Sequence, residues 1–270
     1  MVSNSVSCLE VLQTMINVEP NLAEVTRLTI ALPNLSPAFD GLTIVQISDW
    51  HLGKVMTSKK MLAIARQTNE LAPDVIVHTG DYIDHIIMTN VSEITRSAEA
   101  FRASDGIFGI LGNHDYFHVD PAIVAAAVQR AGNTRMLINA NAAIRRGDAL
   151  LYIAGVDDIW ENKHNLKQAL ANIPENAPVI LLAHEPDYAD QVAPTGRVGL
   201  QLSGHTHGGQ VRFPVKGPLV LPRLGQKYVM GMYDVNGMAL YVNRGVGLAV
   251  PYFRLNCPPE ITHFTLRATA

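Results

Sequence analysis

Cysteine is scarce in this sequence: Cys8 and Cys257 are the two present. Two thiols cannot build a disulfide framework or a Cys-rich zinc site. Any bound metal must therefore be held by nitrogen and oxygen. Charge is also sparse, at 17% of residues, with 21 Lys and Arg against 24 Asp and Glu. An average soluble domain carries roughly 25%. The near balance gives no general basic footprint for nucleic acid. No run of 18 apolar residues occurs, so no membrane-spanning helix is expected. The first 18 residues lack a basic region, and Glu10 interrupts their apolar stretch, which fits neither a signal peptide nor an anchor. The expectation is a cytoplasmic protein, with peripheral membrane contact left open. Residues 1–18 read as an N-terminal extension and 19–270 as a single domain.

What the chain does have is apolar residues, at 48%, with 20 glycines and ten histidines in 270 positions. That content excludes general disorder and supports a sizeable core. From residue 26, strands alternate with helices. Short apolar runs at 42–47, 74–78 and 106–111 read as buried strands. Helices are expected over 57–71 and 89–103, and after Asp120-Pro121, closed by Gly132. Residues 143–156 read as two strands around Gly147-Asp148, followed by a helix over 164–172. Further strands are expected at 178–183 and 199–203, then a strand-rich tail with a hairpin at Asn236-Gly237. This order predicts a sheet-centred α/β domain. Runs apolar on both faces indicate covered sheets, and functional residues then gather past the carboxyl ends of strands.

Polar clusters stand at those ends: Asp49-Trp50-His51, Gly80-Asp81, Gly112-Asn113-His114-Asp115, His184, and Gly204-His205-Thr206-His207. Singly, each has an ordinary reading. Gly-Asp is a common turn, Asn-His-Asp can cap a helix, and His-x-His can be two outward polar residues. As an ordered set they offer Asp49, Asp81, Asn113, His51, His184, His205 and His207 as ligands. Seven ligands suit two metal ions if one carboxylate bridges them. A mixed nitrogen and oxygen set suits Mn, Fe, Zn, Co or Ni.

This ordered set resembles the signature of the calcineurin-like metallophosphoesterases, over about residues 42–210. The stretches SGHTHGGQVRF (203–213), YVNRGVG (241–247) and RLNCPPEI (254–261) extend the resemblance to a bacterial branch of phosphodiesterases. That branch includes membrane-associated enzymes and a UDP-diacylglucosamine pyrophosphatase. The resemblance implies an α/β fold, a four-layer αββα sandwich of two mixed β-sheets flanked by helices. It assigns Asp49, His51 and His207 to one divalent metal and Asn113, His184 and His205 to a second, with Asp81 bridging. His114 is implied as the non-ligand acid beside the leaving group, with Asp115 orienting it. A hydroxide between the metals would attack phosphorus in line. Trp50 is bulkier than the usual Leu there, and strand alternation turns it away from the metals.

Five histidines lie outside the motifs. His78 reads as a satisfied core residue, and His164 and His263 as surface or packing residues. His85 and His118 are near enough to the motifs to reach a substrate. Residues 211–255 carry six basic side chains, including Arg212, against one acid, Asp234, with apolar residues between prolines and glycines. That combination suits a phosphorylated amphiphile or an anionic membrane surface; ordinary hairpin faces with a buried apolar half are the alternative. Arg212 and His118 are the expected substrate contacts. The expected activity is metal-dependent hydrolysis of a phosphodiester or pyrophosphate, on a lipid-linked or nucleotide-containing substrate. The alternatives are a metal-binding regulator or scaffold, a nuclease, or a protein phosphatase. A protein phosphatase of this superfamily would carry Asp-Arg-Gly after the second motif and Glu after Asn-His. Here Asp84 precedes His85, and Asp115 stands in place of Glu.

Overall fold

The computed structural model describes residues 23–84, 90–117 and 119–268. The chain opens with β1 (Glu24–Leu32) and β2 (Thr43–Ile47), then helix α1 (Ser58–Glu70). Thr57 caps that helix by accepting the Lys60 amide through its hydroxyl, and Met61, Ile64, Ala65 and Thr68 form its buried stripe. There follow β3 (Val75–Thr79), α2 (Val91–Ala98), β4 (Gly106–Ile110), α3 (Pro121–Arg130) and β5 (Thr134–Met136). The second half runs β6 (Ala140–Arg146), β7 (Ala149–Gly155), α4 (Leu166–Ala169), β8 (Val179–Leu182), α5 (Ala189–Val192) and β9 (Leu200–Ser203). A ribbon of β10 (Arg212–Phe213) and β11 (Gly217–Pro218) comes next, then β12 (Gly231–Val235), β13 (Met238–Val242) and β14 (Glu260–Ala268).

Two six-stranded sheets result, ordered β1-β14-β2-β3-β4-β5 and β12-β13-β9-β8-β7-β6. Both are mixed: β2, β3, β4 and β5 are parallel, as are β7, β8, β9 and β13, while β14 is parallel to β1 but runs against β2, and β12 and β6 run against β13 and β7. Strand alternation divides the core into three layers. Ile44, Val75, Val77, Phe108 and Ile110 meet Ile153, Ile180, Leu182, Leu200 and Leu202 between the sheets. Val45, Ile47 and Ile76 pack outward on Met61, Ile64, Ile94 and Val128 of the three helices. On the other outer face Leu181, Leu240 and Val242 lie under Ala169, Ala189 and Val192. The architecture is the expected four-layer αββα sandwich.

Several boundaries differ from the sequence reading. The helix expected over 89–103 ends at Ala98, because the Asn69 side chain binds the Ala100 carbonyl (2.8 Å) and the Arg102 amide (2.9 Å). The helix expected over 164–172 shrinks to Leu166–Ala169, with Asn141 Nδ2 bonded to the carbonyls of Ala169 and Ala171. The tail holds fewer strands than expected before β14: residues 219–230 and 243–259 are mostly turns and loops. The last strand does not extend the nearer sheet. It inserts between β1 and β2 and pairs with β1 in parallel, Glu24 with Glu260 through Leu32 with Ala268.

Candidate metal centre

The carboxyl ends of β2, β3 and β4 from one sheet meet those of β8 and β9 from the other. Asp49 and His51 follow β2, Asp81 follows β3, the Asn113–Tyr116 turn follows β4, His184 follows β8, and His205 and His207 follow β9. The Asp49 amide binds the Gly80 carbonyl (3.0 Å) and the His51 amide binds the Asp81 carbonyl (3.0 Å), extending the β2–β3 pairing into the loops. Across the sheets, Gln46 Nε2 donates to the Ser203 carbonyl at 2.9 Å, and the His205 amide donates to Asp49 Oδ1 at 3.0 Å.

Five of these residues have positive φ: Asp49 (52°), His51 (47°), Asp81 (57°), His205 (71°) and His207 (52°). Such conformations are rare for side-chain-bearing residues and cluster where function requires a set direction. Two glycines are needed for approach. A Cβ on Gly112 would strike Asp81 Oδ1, and one on Gly204 would strike Ser48 Oγ.

Ligand atoms of Asp49, His51, Asp81 and His207 lie within 4.8 Å of one another, as do those of Asp81, His184 and His205, and all six residues are buried. Asp81 belongs to both groups. Asn113 Oδ1 lies 2.9 Å from His205 Nδ1. All seven sequence-predicted ligands are thus brought together. Their tautomers are set by outer partners. His184 Nδ1 bonds to the Thr79 carbonyl (2.6 Å), so Nε2 points at Asp81 Oδ2 (3.2 Å), and although burial opposes it, that carboxylate raises the His184 pKa well above the usual imidazole value. His205 Nε2 donates to the Arg223 carbonyl (2.8 Å), turning Nδ1 inward.

The electrostatics of this cluster call for cations. Burial, with the Asp81 carboxylate adding to it, pushes the Asp49 pKa up to about 7 despite His184. Burial also works against the charge of Asp81, yet His184, His114 and His51 hold it well below the usual carboxylate range. Burial lowers His205 and His207, keeping both imidazoles neutral with lone pairs available. His51 Nε2 and His207 Nε2 lie only 2.9 Å apart. Carboxylates and neutral imidazoles converging in a dry pocket are a divalent-cation donor set.

His114 lies beside this cluster, its amide on Asp81 Oδ1 (2.9 Å) and its ring edge-on to His51 at 4.6 Å. Asp115 does not orient it. Its Oδ1 accepts the amides of Tyr82 (2.9 Å) and Ile83 (3.3 Å), and its Oδ2 accepts that of Gly112 (3.0 Å). Burial and Asp81 push its pKa up to about 8, against the pull of those amides. Asp115 therefore ties the β3 loop to the β4 turn, a positioning role in place of the catalytic one expected. Arg212 likewise donates to the Gly208 carbonyl (2.7 Å) and supports the turn instead of facing the substrate. His118 and His85 lie outside the described residues. Trp50 is buried away from the cluster, against His78, Tyr82 and Phe101. His78 is buried too, but neither ring nitrogen is hydrogen-bonded, and burial lowers its pKa to about 3. It is a neutral packing residue without the satisfied bonds expected. His164 packs edge-on to Tyr188 at 4.9 Å.

Sequence reasoning missed an outer ring of support. Glu185 accepts the amides of Ile159 (3.3 Å) and Trp160 (3.2 Å). Its neighbour Asp158 is pushed up to about 9 by burial and by Glu185. The buried Arg254 guanidinium donates to the carbonyls of Arg244, Gly245 and Gly247 at 2.7, 3.0 and 2.8 Å. That holds the loop whose Gly247 amide binds the Asp49 carbonyl. Most cations of 211–255 are committed in this way. Arg244 pairs with Glu260 and Glu24, and Lys227 with Asp190. The stretch is not the open basic surface its composition suggests.

A cavity of about 360 Å³ opens on the cluster. Asn113, His114, His205 and His207 line its polar side, and Phe117, Trp160, Leu219, Val220, Pro222 and Val250 line much of the rest.

Two mixed sheets with a buried carboxylate and imidazole cluster at their common edge are the marks of a metal-dependent phosphoester hydrolase. The chain belongs to the calcineurin-like phosphoesterase family, whose profile matches residues 42–209. It is 35% identical over 253 residues to the uncharacterized metallophosphoesterase YkuE of Bacillus subtilis, covering 93% of this chain and 88% of that protein. An uncharacterized metallophosphoesterase of Aquifex aeolicus is 30% identical over 263 residues, 93% of this chain and 94% of that one. The bovine transmembrane protein with metallophosphoesterase domain is 33% identical over 264 residues, 90% of this chain. The chain spans only 57% of that longer protein.

Proposed function

We propose that residues 19–270 form one catalytic domain that hydrolyses phosphodiester or pyrophosphate bonds at a pair of divalent cations. Asp49, His51 and His207 would hold one, and Asn113, His184 and His205 the other, with Asp81 between them. The observation that carries this reading is the sharing of Asp81 by the two buried ligand groups. The donor set accepts Mn, Fe, Zn, Co or Ni.

When bound, the cation pair supplies an acidified water for in-line attack and positive charge for the phosphoryl oxygens. The chain's own residues do the rest. Thr79 and Arg223 carbonyls fix the tautomers of His184 and His205. Asp81 Oδ1 holds the His114 amide, so the acid is anchored to the ligand that both groups share. The His114 ring faces the cavity, where it can donate to a phosphoryl or leaving-group oxygen. The substrate would be lipid-linked or nucleotide-containing, as in the bacterial membrane-associated branch. Bis-p-nitrophenyl phosphate tests the core of this reading. Hydrolysis is expected with Mn²⁺ and not after chelation. Full metal loading with no turnover would favour a scaffold.

A membrane-facing reading rests on the β10–β11 ribbon. Phe213, Val215, Leu219 and Val220 are 43%, 108%, 60% and 72% exposed beside Lys216. Among the described residues no helix is long and apolar enough to cross a membrane, so contact would be peripheral. Co-sedimentation with anionic vesicles at low salt is expected. No binding there removes this second reading.

A further inference from the structure

The wall of the cavity beyond the metal ligands offers a substrate almost no polar contact. Among the described residues, no Lys, Arg, Asp or Glu lines it. Apart from the Trp160 indole, the polar side chains of that wall among the described residues, Thr206 and Gln210, are already committed. Thr206 Oγ1 donates to the Val229 carbonyl (2.6 Å) and accepts the Gly208 amide (3.2 Å). Gln210 Oε1 accepts the Ala249 amide (3.0 Å), and its Nε2 donates to the carbonyls of Ala249 and Pro251. Gln210 thus clamps the 249–251 segment into the wall and presents no free donor. A sugar or a second phosphate resting on this wall would lose water contacts and regain few from the described residues, which disfavours it there.

The apolar wall is also open. Leu219, Val220 and Val250 are 60%, 72% and 56% exposed, and Phe117 is 39% exposed. Large apolar side chains grouped at the mouth of a site mark a surface that a ligand covers. Here they continue directly from His114 and His205. Trp160 closes the same wall, 5.8 Å from the His205 ring and edge-on to it.

From this we infer that the cavity takes an apolar arm of the phosphoester, an alkyl, acyl or aryl group on one phosphate oxygen. The phosphate itself meets the cation cluster. The inference rests on the metal-dependent reading of the cluster and names the substrate class it selects. Each methylene moved from water into the wall strengthens binding roughly fourfold at best.

The test is calorimetric titration of Mn²⁺-loaded protein with hexyl phosphate and with methyl phosphate. Both present the same phosphate to the cations and differ only in the arm. Hexyl phosphate is expected to bind at least about tenfold tighter. The double variant Leu219→Asn, Val220→Asn changes two exposed side chains and should fold. In it the gap is expected to fall below about threefold, with methyl phosphate unaffected. Equal affinities in the parent protein, a gap unchanged in the variant, or no binding of hexyl phosphate would each overturn the inference. A gap that stands while bis-p-nitrophenyl phosphate is not hydrolysed would instead count against catalysis alone.

Discussion

Each site residue is defined by what its other atoms are doing. Asp81 offers Oδ2 to the histidines and Oδ1 to the His114 amide, so it links both groups of the cluster to His114. In Asp81→Asn, a neutral amide replaces the shared carboxylate. Metal content should fall below one ion per chain by elemental analysis, with turnover down more than about 100-fold. His114→Ala should keep its metal and lose about 10²–10⁴-fold in diester turnover; undiminished turnover in the loaded variant would remove His114 from the chemistry. Arg254→Ala leaves several buried carbonyls without their donor. Loss of about 3 kcal/mol in urea unfolding is expected, because the unpaired acceptors stay buried. The residues that converge in the cluster were legible in the sequence because each polar cluster ends an apolar run. Asp115 was misread because one residue type serves two purposes: an acid following a histidine can orient it or, as here, bind three loop amides. Nothing in Asp115 itself distinguishes the two. Glu185 carried no local signal, since its partners, the amides of Ile159 and Trp160, are distant in sequence; Arg254 was counted as a surface cation because nothing in its residue type shows that it is buried on the carbonyls of 244–247.

At the level of elements, the strands were read well and the helix ends poorly. Short apolar runs have nowhere to go but a covered sheet, so β2, β3, β4, β8 and β9 were legible within a residue or two. The hairpins were legible for a different reason. Asn236 and Gly237 take φ of 52° and 85°, which their residue types announce. Gly237→Ala forces an alanine into that conformation and should cost about 1–2 kcal/mol by denaturant midpoint, with the metal content unchanged. The helix ends failed because side chains from elsewhere in the fold end them. Asn69 stops α2 and Asn141 stops α4, and neither is local to the helix it limits. The 211–255 stretch failed for a related reason. Composition counts its cations but does not show that Arg244, Lys227 and Arg254 are bound within the molecule.

Across the whole molecule, the site exists only where the two sheets are held edge to edge, and the last strand does much of that holding. β14 sits between β1 and β2, a pairing across more than 200 residues that no local pattern could reveal. Its Glu260 reaches the other sheet, accepting from Tyr241 (2.5 Å) and from Arg244 (3.0 Å). Burial opposes the charge of Glu260, but Arg244 and hydrogen-bond donors including Tyr241 hold its pKa below the usual 4.5. A depressed carboxylate stabilises the fold fully above its unfolded value. That contribution is lost as pH falls through the folded value. Glu260→Gln should therefore lower stability at neutral pH and flatten the acid limb below about pH 4.5; an unchanged limb would assign acid sensitivity elsewhere. Because the cluster joins loops from both sheets, metal removal should loosen the whole fold. At a hundredfold excess over Kd a bound ion adds about 2.7 kcal/mol, so chelation should lower Tm and Mn²⁺ should restore it. The most direct measurement is anomalous diffraction at the manganese edge from a Mn²⁺-soaked crystal. Two peaks about 3.5–4 Å apart, one on each side of the Asp81 carboxylate, are predicted. A single peak, or none within the Asp49, Asp81 and His184 cluster, would contradict the account.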